Sequence, residues 1–202
     1  MFYSYYIRRA TLINVGHILL SFILPPPPFP LGCYLLTWHP QLVGLAGSAN
    51  STGDDQKKLD VIGNDIFVNA MRGCGKVKVL VSEELDEALV FPGNGKYIVV
   101  CDPIDGSSNL DAGVSVGTIF GIFKLDDNAV GIAEDALKPG TELVAAGFTM
   151  YGASANLVLT MKGGEVNGFT LDNALGEFIL SHPNVGIIFF LPSFQKANSL
   201  YR

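Results

Sequence analysis

The sequence predicts a fold that mixes α-helix and β-strand in layers within one domain, and three segments carry that prediction. Residues 55–71 place apolar side chains at helical spacing along one face, which indicates an amphipathic helix. Residues 76–82 alternate valine with other residues in period two, and residues 96–101 form a short β-branched run, so each is predicted to be a strand. A chain of 202 residues can bury one sizeable core but is too short for two ordinary domains.

After these segments the chain continues to alternate glycine-containing turns with regular elements. Residues 115–123 are rich in isoleucine and phenylalanine, so they are predicted to form another strand. The small residues between Leu143 and Tyr151 predict a short helix. The segments SANLVLTM and EVNGFTLD flank Lys162-Gly163-Gly164, which is a turn sequence typical of a β-hairpin.

The first 40 residues differ in composition from the rest of the chain. Arg8 and Arg9 precede an apolar stretch, and four consecutive prolines follow at Pro25–Pro28. This order imitates a signal peptide, but polar residues interrupt a stretch already shorter than the roughly 20 residues that span a bilayer, and no clear cleavage site follows. We expect residues 1–40 to be a leader unrelated to the rest of the chain, separated from the fold by a stiff proline spacer, and a targeting role is the alternative.

Charge and cysteine usage exclude several classes of protein. The net charge of −6 argues against a nucleic-acid partner, because phosphate backbones are bound by clustered basic residues. Cys33, Cys74 and Cys101 are odd in number and widely spaced, so neither a disulfide framework nor a zinc site is indicated. We therefore expect a reducing, cytoplasmic location and no membrane partner.

Carboxylates follow two neighbouring strands of the predicted sheet. Glu83 and Glu84 end one strand, and Asp102 ends the next, with Asp105 three residues further on. Mg²⁺ takes oxygen ligands only, and carboxylates that converge from strand ends supply them. The carbonyl of Ile104, between the two aspartates, could complete the shell.

The residues that follow offer a seat for an anion. Gly106, Ser107 and Ser108 present backbone N–H groups at a turn that is expected to open a helix, an arrangement that favours a phosphate. Adjacent cation and anion sites predict metal-dependent hydrolysis of a phosphate monoester. The alternative is structural: an ordinary Asx turn after the strand at Asp102, and a solvated loop at residues 83–87.

Five motifs, in this order, resemble fructose-1,6-bisphosphatase over residues 42–185. They are LVGLAGSANSTGDDQKKLDVIGND, VLVSEE, DPIDGSSNLDAGVSVGTIFGI, DALKPGTELVAAGFTMYGASANLVLTM and LDNALGEFILSHPNV. DPIDGSS is similar to the signature of the inositol monophosphatase superfamily, which more often has two threonines after the glycine. Ser107-Ser108-Asn109 and VGTIFGI favour the fructose enzyme over that relative and over sedoheptulose bisphosphatase. The resemblance implies the layered α+β sugar-phosphatase fold of that superfamily, in its N-terminal half only.

The resemblance also implies a set of metal ligands. Glu83, Asp102 and Asp105, with the carbonyl of Ile104, would bind Mg²⁺, and Mn²⁺ or Zn²⁺ are the alternatives. The reaction implied is hydrolysis of the 1-phosphate of fructose 1,6-bisphosphate in carbohydrate metabolism.

Catalytic and substrate-binding roles follow from the same resemblance. Asp54 would close over the site on a mobile loop, while Asp60 and Glu84 would orient or deprotonate the attacking water. The stretch Asp105–Ser108 would hold the 1-phosphate. From the residues alone, Asp54 and Asp60 are explained as well by capping and dipole pairing at the start of a helix.

The chain also departs from the family pattern. The resemblance fades near Val185, so we expect a domain at residues 41–185 followed by a divergent tail at 186–202, without the family's 6-phosphate pocket or its late glutamate ligand. Little bisphosphatase activity is expected from such a chain. The alternatives are a catalytically inactive fragment or subunit that pairs with full-length chains, or another phosphatase of the superfamily.

The resemblance also bears on regulation and assembly. Lys96 and Tyr97 match AMP contacts of the family, but Thr141 stands where an arginine is expected, which puts AMP inhibition in doubt. The family forms tetramers, so the resemblance implies a homo-oligomer.

Overall fold

A computed structural model of the chain describes residues 45–49 and 55–186, with side chains from residue 58 onwards except that of Asp111. Several features of the sequence analysis lie outside the described residues, namely the predicted leader at 1–40, Cys33, Asp54 and nearly all of the predicted tail. In the part of the chain that the structure describes, no helix has both the length and the apolar character needed to cross a membrane.

The described residues form ten strands and one α-helix, together with three short 3-10 helices. In chain order the strands and the helix are β1 (Leu45–Ala49), β2 (Asp55–Lys57), α1 (Lys58–Cys74), β3 (Val77–Ser82), β4 (Leu89–Val90), β5 (Tyr97–Asp105), β6 (Val116–Lys124), β7 (Ala145–Tyr151), β8 (Ala155–Met161), β9 (Asn167–Asp172) and β10 (Glu177–His182). The 3-10 helices are Ser107–Ala112, Ala133–Ala136 and Gly140–Glu142.

Eight of the strands form one mixed sheet in the order β10-β9-β8-β7-β6-β5-β3-β4, while β1 and β2 pair separately as a two-stranded antiparallel sheet. Strands β3 and β5 are parallel neighbours, and the other pairs of the large sheet are antiparallel. The carboxyl ends of β3 and β5 therefore lie at the same edge of the sheet.

Helix α1 packs on one face of the sheet over β3 and β5. Its apolar positions recur at helical spacing, so Leu59, Phe67 and Met71 share the buried side of the helix. Phe67 and Met71 join Leu80 and Val99 in the main core of the domain. Alternate strand residues point to the opposite face, where a smaller cluster forms around Val79, Ile98 and Phe123.

Most of the predicted elements are confirmed with small shifts of their ends. The helix predicted at 55–71 is α1, and its first residues instead form β2. The strands predicted at 76–82, 96–101 and 115–123 are β3, β5 and β6. The hairpin prediction is also confirmed, because β8 and β9 pair antiparallel through a turn in which Gly163 has a φ of 77°.

The helix predicted between Leu143 and Tyr151 is wrong, because residues 145–151 form strand β7 between β6 and β8. The small residues that favoured a helix serve close packing inside the sheet. A Cβ on Gly147 would lie only 2.8 Å from the ring of Phe120 on β6. Tertiary packing therefore overrides the local preference of this segment.

Candidate active site

The parallel pairing of β3 with β5 brings the predicted carboxylates together. Ser82 lies opposite Cys101 in the register, and the N–H of Glu83 donates to the carbonyl oxygen of Cys101 at 3.0 Å. The two chains thus leave the sheet side by side, and Glu83 and Glu84 emerge next to Asp102.

Glu83, Glu84 and Asp102 form one acidic group. Each offers a carboxylate oxygen, and these three oxygens all lie within 4.8 Å of one another. Glu84 is buried, with 7% of its surface exposed, and the other two are half-buried. All three donors are carboxylate oxygens, so the group fits a hard divalent cation such as Mg²⁺ and offers nothing to a soft metal.

The crowding of these acids changes the protonation of Asp102. Its pKa is raised from 3.8 to about 6, first because burial disfavours the charged form and then because of repulsion from Glu83. Smaller contributions from Asp105 and Asp60 also raise the pKa, whereas a hydrogen bond from the N–H of Ile104 opposes the change. A bound cation would remove this repulsion.

Asp60 approaches the same group from the helix. It lies in the first turn of α1 and is only 2% exposed, and its charge contributes to the raised pKa of Asp102. A carboxylate in the first turn also interacts favourably with the helix dipole, so the structural explanation and a role in the site are compatible. Of the three predicted catalytic residues, Asp60 and Glu84 thus lie at the site, and Asp54 lies outside the described residues.

The step from Asp102 to Asp105 interrupts the sheet. The pairing of β5 with β6 shifts register between these residues, and the hydroxyl of Thr118 donates to the carbonyl of Pro103 at 2.7 Å. The N–H of Ile104 donates to Oδ1 of Asp102 at 3.0 Å, which is the Asx turn of the structural alternative. Asp105 is exposed, and its carboxylate is not part of the close group formed by the other three acids.

Helix α1 fixes the position of Ile104 by direct contact. Ile104 is buried, and a Cβ added to Gly63 would lie 2.7 Å from its Cγ1 atom. A larger residue at position 63 would therefore push against the turn that carries the predicted carbonyl ligand.

After Asp105 the chain turns into the 3-10 helix Ser107–Ala112 instead of an α-helix. Gly106 precedes it with a φ of 83°, in the left-handed region that favours glycine. Asp105 and Gly106 line one side of an open cavity of about 330 Å³. Of the predicted anion seat, Gly106 therefore faces the cavity, whereas Ser107 and Ser108 do not line it.

An apolar wall on the other side of this cavity was missed by the sequence reasoning. Ile119 and Phe148 are direct cross-strand partners on β6 and β7, and Met150 lies beside them. All three are large hydrophobic residues with 40–48% of their surface exposed. The alternation of side chains along β6 could have revealed Ile119, but the helix predicted for residues 143–151 concealed its partners.

The predicted AMP contacts lie away from the acidic group. Tyr97 is buried in the core at the start of β5, and Lys96 is exposed just before it. The N–H groups of both residues donate to the carbonyl of Lys76, which ties this segment to the start of β3. Thr141 is exposed in a short 3-10 helix.

Comparison with known proteins agrees with this architecture. The family model for the N-terminal domain of fructose-1,6-bisphosphatase matches residues 39–183. The chain is 62% identical to the fructose-1,6-bisphosphatase of Schizosaccharomyces pombe over 144 residues, which is 71% of this chain and 41% of that protein. It is 52% identical to the Saccharomyces cerevisiae protein over 99% of this chain and 50% of the relative.

The structural comparison gives the same family. The crystal structure of Leishmania major fructose-1,6-bisphosphatase in holo form superposes with a TM-score of 0.69 at 38% identity, covering 90% of this chain and 53% of that one. This chain thus spans about half the length, or less, of the relatives it matches. With its mixed sheet, its flanking helix and the carboxylates gathered at the sheet edge, the chain belongs to the fructose-1,6-bisphosphatase family.

Proposed function

We propose that this chain provides the cation-binding part of a phosphatase site that hydrolyses the 1-phosphate of fructose 1,6-bisphosphate and leaves fructose 6-phosphate, a step of gluconeogenesis. The observation that carries the proposal is the convergence of Glu83, Glu84 and Asp102 within 4.8 Å in a chain of this family. The domain responsible spans residues 41–185.

In this proposal the acids divide between holding a cation and activating water. Glu83, Asp102 and Asp105 hold Mg²⁺, with the carbonyl of Ile104, and Mn²⁺ or Zn²⁺ are the alternatives. When bound, such an ion neutralises charge on the phosphoryl group and lowers the pKa of a coordinated water. After burial, repulsion from Glu83, Asp105 and Asp60 raises the pKa of Asp102, which supports a cation among these acids.

The remaining acids prepare the nucleophile. Glu84 and Asp60 are both nearly inaccessible to solvent, so their carboxylates are held in fixed positions beside Asp102. They orient a water molecule and accept its proton on a carboxylate oxygen as it attacks phosphorus. Asp54 is proposed to complete this arrangement by covering the site.

The phosphate is proposed to lie beyond the acids, on the turn Asp105–Ser108. The left-handed Gly106 turns the backbone towards the cavity, where N–H groups can donate to phosphate oxygens. The sugar would extend along the apolar wall formed by Ile119, Phe148 and Met150. Lys96 and Tyr97 are proposed as AMP contacts, and Thr141 lacks the positive charge that the family has at that position.

Location and assembly complete the proposal. Several plant relatives are named cytosolic fructose-1,6-bisphosphatases, including that of Arabidopsis thaliana, so we place this chain in the cytoplasm. The described cysteines, Cys74 and Cys101, are free thiols, which is consistent with a reducing compartment. A homo-oligomer is proposed from the family resemblance.

The decisive experiment measures phosphate release from fructose 1,6-bisphosphate by the purified, monodisperse chain, with and without Mg²⁺. We expect slow, Mg²⁺-dependent release that Asp102→Asn abolishes and that Asp127→Asn, at an exposed turn, leaves unchanged. The Schizosaccharomyces pombe relative, assayed beside it, sets the scale. Release that is independent of both Mg²⁺ and Asp102 would contradict the proposal.

A non-catalytic role is the competing function. A folded chain that binds Mg²⁺ but releases no phosphate, and that forms mixed oligomers with a full-length relative, would establish this second function instead.

A further inference from the structure

Ser82 is the last residue of β3 and directly precedes the acidic pair Glu83 and Glu84. It is 3% exposed, so its hydroxyl must find partners inside the protein. The hydroxyl donates to Oδ1 of Asn64 at 2.8 Å, and its oxygen accepts the N–H of Glu84 at 3.4 Å. One side chain thus connects helix α1 to the segment that carries two of the acids.

The neighbouring strand β5 places Cys101 beside Ser82, because the two residues are paired in the register. Cys101 directly precedes Asp102, so Ser82 lies next to the segment that carries this acid. Burial raises the pKa of the Cys101 thiol to about 12, so this neighbour of the hydroxyl is neutral. The Ser82 hydroxyl thus donates one hydrogen bond, to Asn64, and accepts one, from the N–H of Glu84.

The partners of Ser82 are neighbours of the acids in all three elements. Asn64 lies one helical turn after Asp60 on the same face of α1, and both side chains are buried. Cys101 adjoins Asp102 on β5, and Ser82 itself adjoins Glu83 on β3. The Ser82 hydroxyl therefore links α1 to the segment after β3, and the pairing of Ser82 with Cys101 places both beside the acid end of β5.

We propose that Ser82, held by Asn64, is a positioning residue that sets the relative placement of the carboxylates contributed by α1, β3 and β5. This inference rests on the proposed function, because cation binding is what requires the carboxylates to be held at this spacing. Hydrogen bonds behind a ligand fix its orientation, and their loss typically lowers metal affinity about 10–100-fold. If Ser82 contributed only to stability, its replacement would lower Mg²⁺ affinity no more than another core substitution that destabilises the protein equally.

The test compares Ser82→Ala and Asn64→Ala with two matched controls. Asn69→Ala makes the same change as Asn64→Ala at an exposed position of the same helix. Val79→Ala opens the core on the same strand as Ser82, but on the opposite face of the sheet. Urea denaturation first establishes that each variant is folded and ranks its stability.

The first measurement is Mg²⁺ affinity by calorimetry. We expect Ser82→Ala and Asn64→Ala to bind about tenfold more weakly or worse, while both controls keep the affinity of the unmodified chain. Ser82→Thr, which retains the hydroxyl, should recover most of the affinity. Equal losses in Ser82→Ala and Val79→Ala, or unchanged affinity in Ser82→Ala, would overturn the proposal.

The second measurement needs no metal and separates this inference from the proposed function. Amide hydrogen exchange at Glu84, followed by NMR, reports whether its N–H is held by the Ser82 oxygen. We expect Ser82→Ala to accelerate this exchange at least tenfold relative to Val79→Ala, and unchanged exchange would refute the positioning role. If the unmodified chain bound no Mg²⁺, the proposed function would fall, and the exchange result alone would decide whether Ser82 positions this segment.

Discussion

Replacing Asp102 with asparagine should stabilise the protein when no divalent cation is present. The pKa of Asp102 is raised from 3.8 to about 6, so in the folded state its charged form is disfavoured by burial and by Glu83. Asparagine removes the charge, and its Oδ1 can still accept the N–H of Ile104, which Asp102 now accepts at 3.0 Å. The substitution therefore relieves repulsion without giving up the Asx turn.

The size of the effect follows from the pKa difference. Each pKa unit corresponds to about 1.4 kcal/mol, so the full change sets an upper bound of about 3 kcal/mol. Asp102 is only half-buried, and solvent screening reduces this to about 1–2 kcal/mol. In a chain of this size that gain raises the melting temperature by roughly 2–8 °C.

The dependence on pH gives the sign of the effect. An acid whose pKa is higher in the folded state binds its proton more tightly there, so its contribution is fully present below about pH 4. The free energy of unfolding should then fall as the pH rises from about 4 to about 6, and stay low above that range. Asp102→Asn should flatten this decline.

Urea denaturation in the presence of EDTA, from pH 4 to pH 7.5, measures the effect. Asp127→Asn, in an exposed turn, is the matched control and should change stability by less than about 0.5 kcal/mol. If Asp102→Asn were less stable than the unmodified chain at pH 7.5, or kept the same pH dependence, the account of the acidic group as self-repelling would be refuted.

Three further outcomes test the site and its supports. Mg²⁺ at 10 mM should raise the free energy of unfolding by about 1.4 kcal/mol for a dissociation constant near 1 mM. If Asp105 is a ligand, the Asp105→Asn variant should show no such stabilisation by Mg²⁺ in a thermal-shift assay. Gly63→Ala should destabilise the chain by about 1 kcal/mol in urea, because crowding of Ile104 outweighs the better helix propensity of alanine; a more stable variant would contradict that contact. Gly106→Ala should cost about 1–2 kcal/mol through its φ of 83°, whereas Gly140→Ala, with open space around its Cβ, should be nearly neutral.

The sequence predicted the elements whose local pattern agrees with their tertiary role. Helix α1 has its apolar residues at helical spacing because that face packs on the sheet, and Val79 and Val81 alternate with other residues because both pack in the smaller cluster on one face of β3. β7 could not be predicted in the same way. Its alanines and glycine suit a helix locally, and only the neighbouring strands make them necessary in a sheet.

The candidate site, like the fold, could be predicted only where a local sequence pattern specifies it. Acids at the ends of two predicted strands indicated a shared cation site, and Glu83, Glu84 and Asp102 do lie together. Their closeness depends on β3 and β5 being parallel neighbours, which no local pattern specifies. The hydrogen bond from Ser82 to Asn64 joins residues 18 apart in the chain, and the apolar wall joins two strands, so both depend on the completed fold.

The parallel pairing of β3 with β5 also makes cation binding a measure of correct strand register. Side chains alternate along a strand, so a slip of one residue would turn Ser82 and the residues around it to the opposite face and separate Glu83 from Asp102. A mispaired but compact chain could keep its strand content, and circular dichroism would not distinguish it from the native protein. If the acidic group binds Mg²⁺ as proposed, the ion would distinguish them, because only the native register gathers the three carboxylates. The fraction of molecules that bind the ion would then count the correctly folded ones in any preparation.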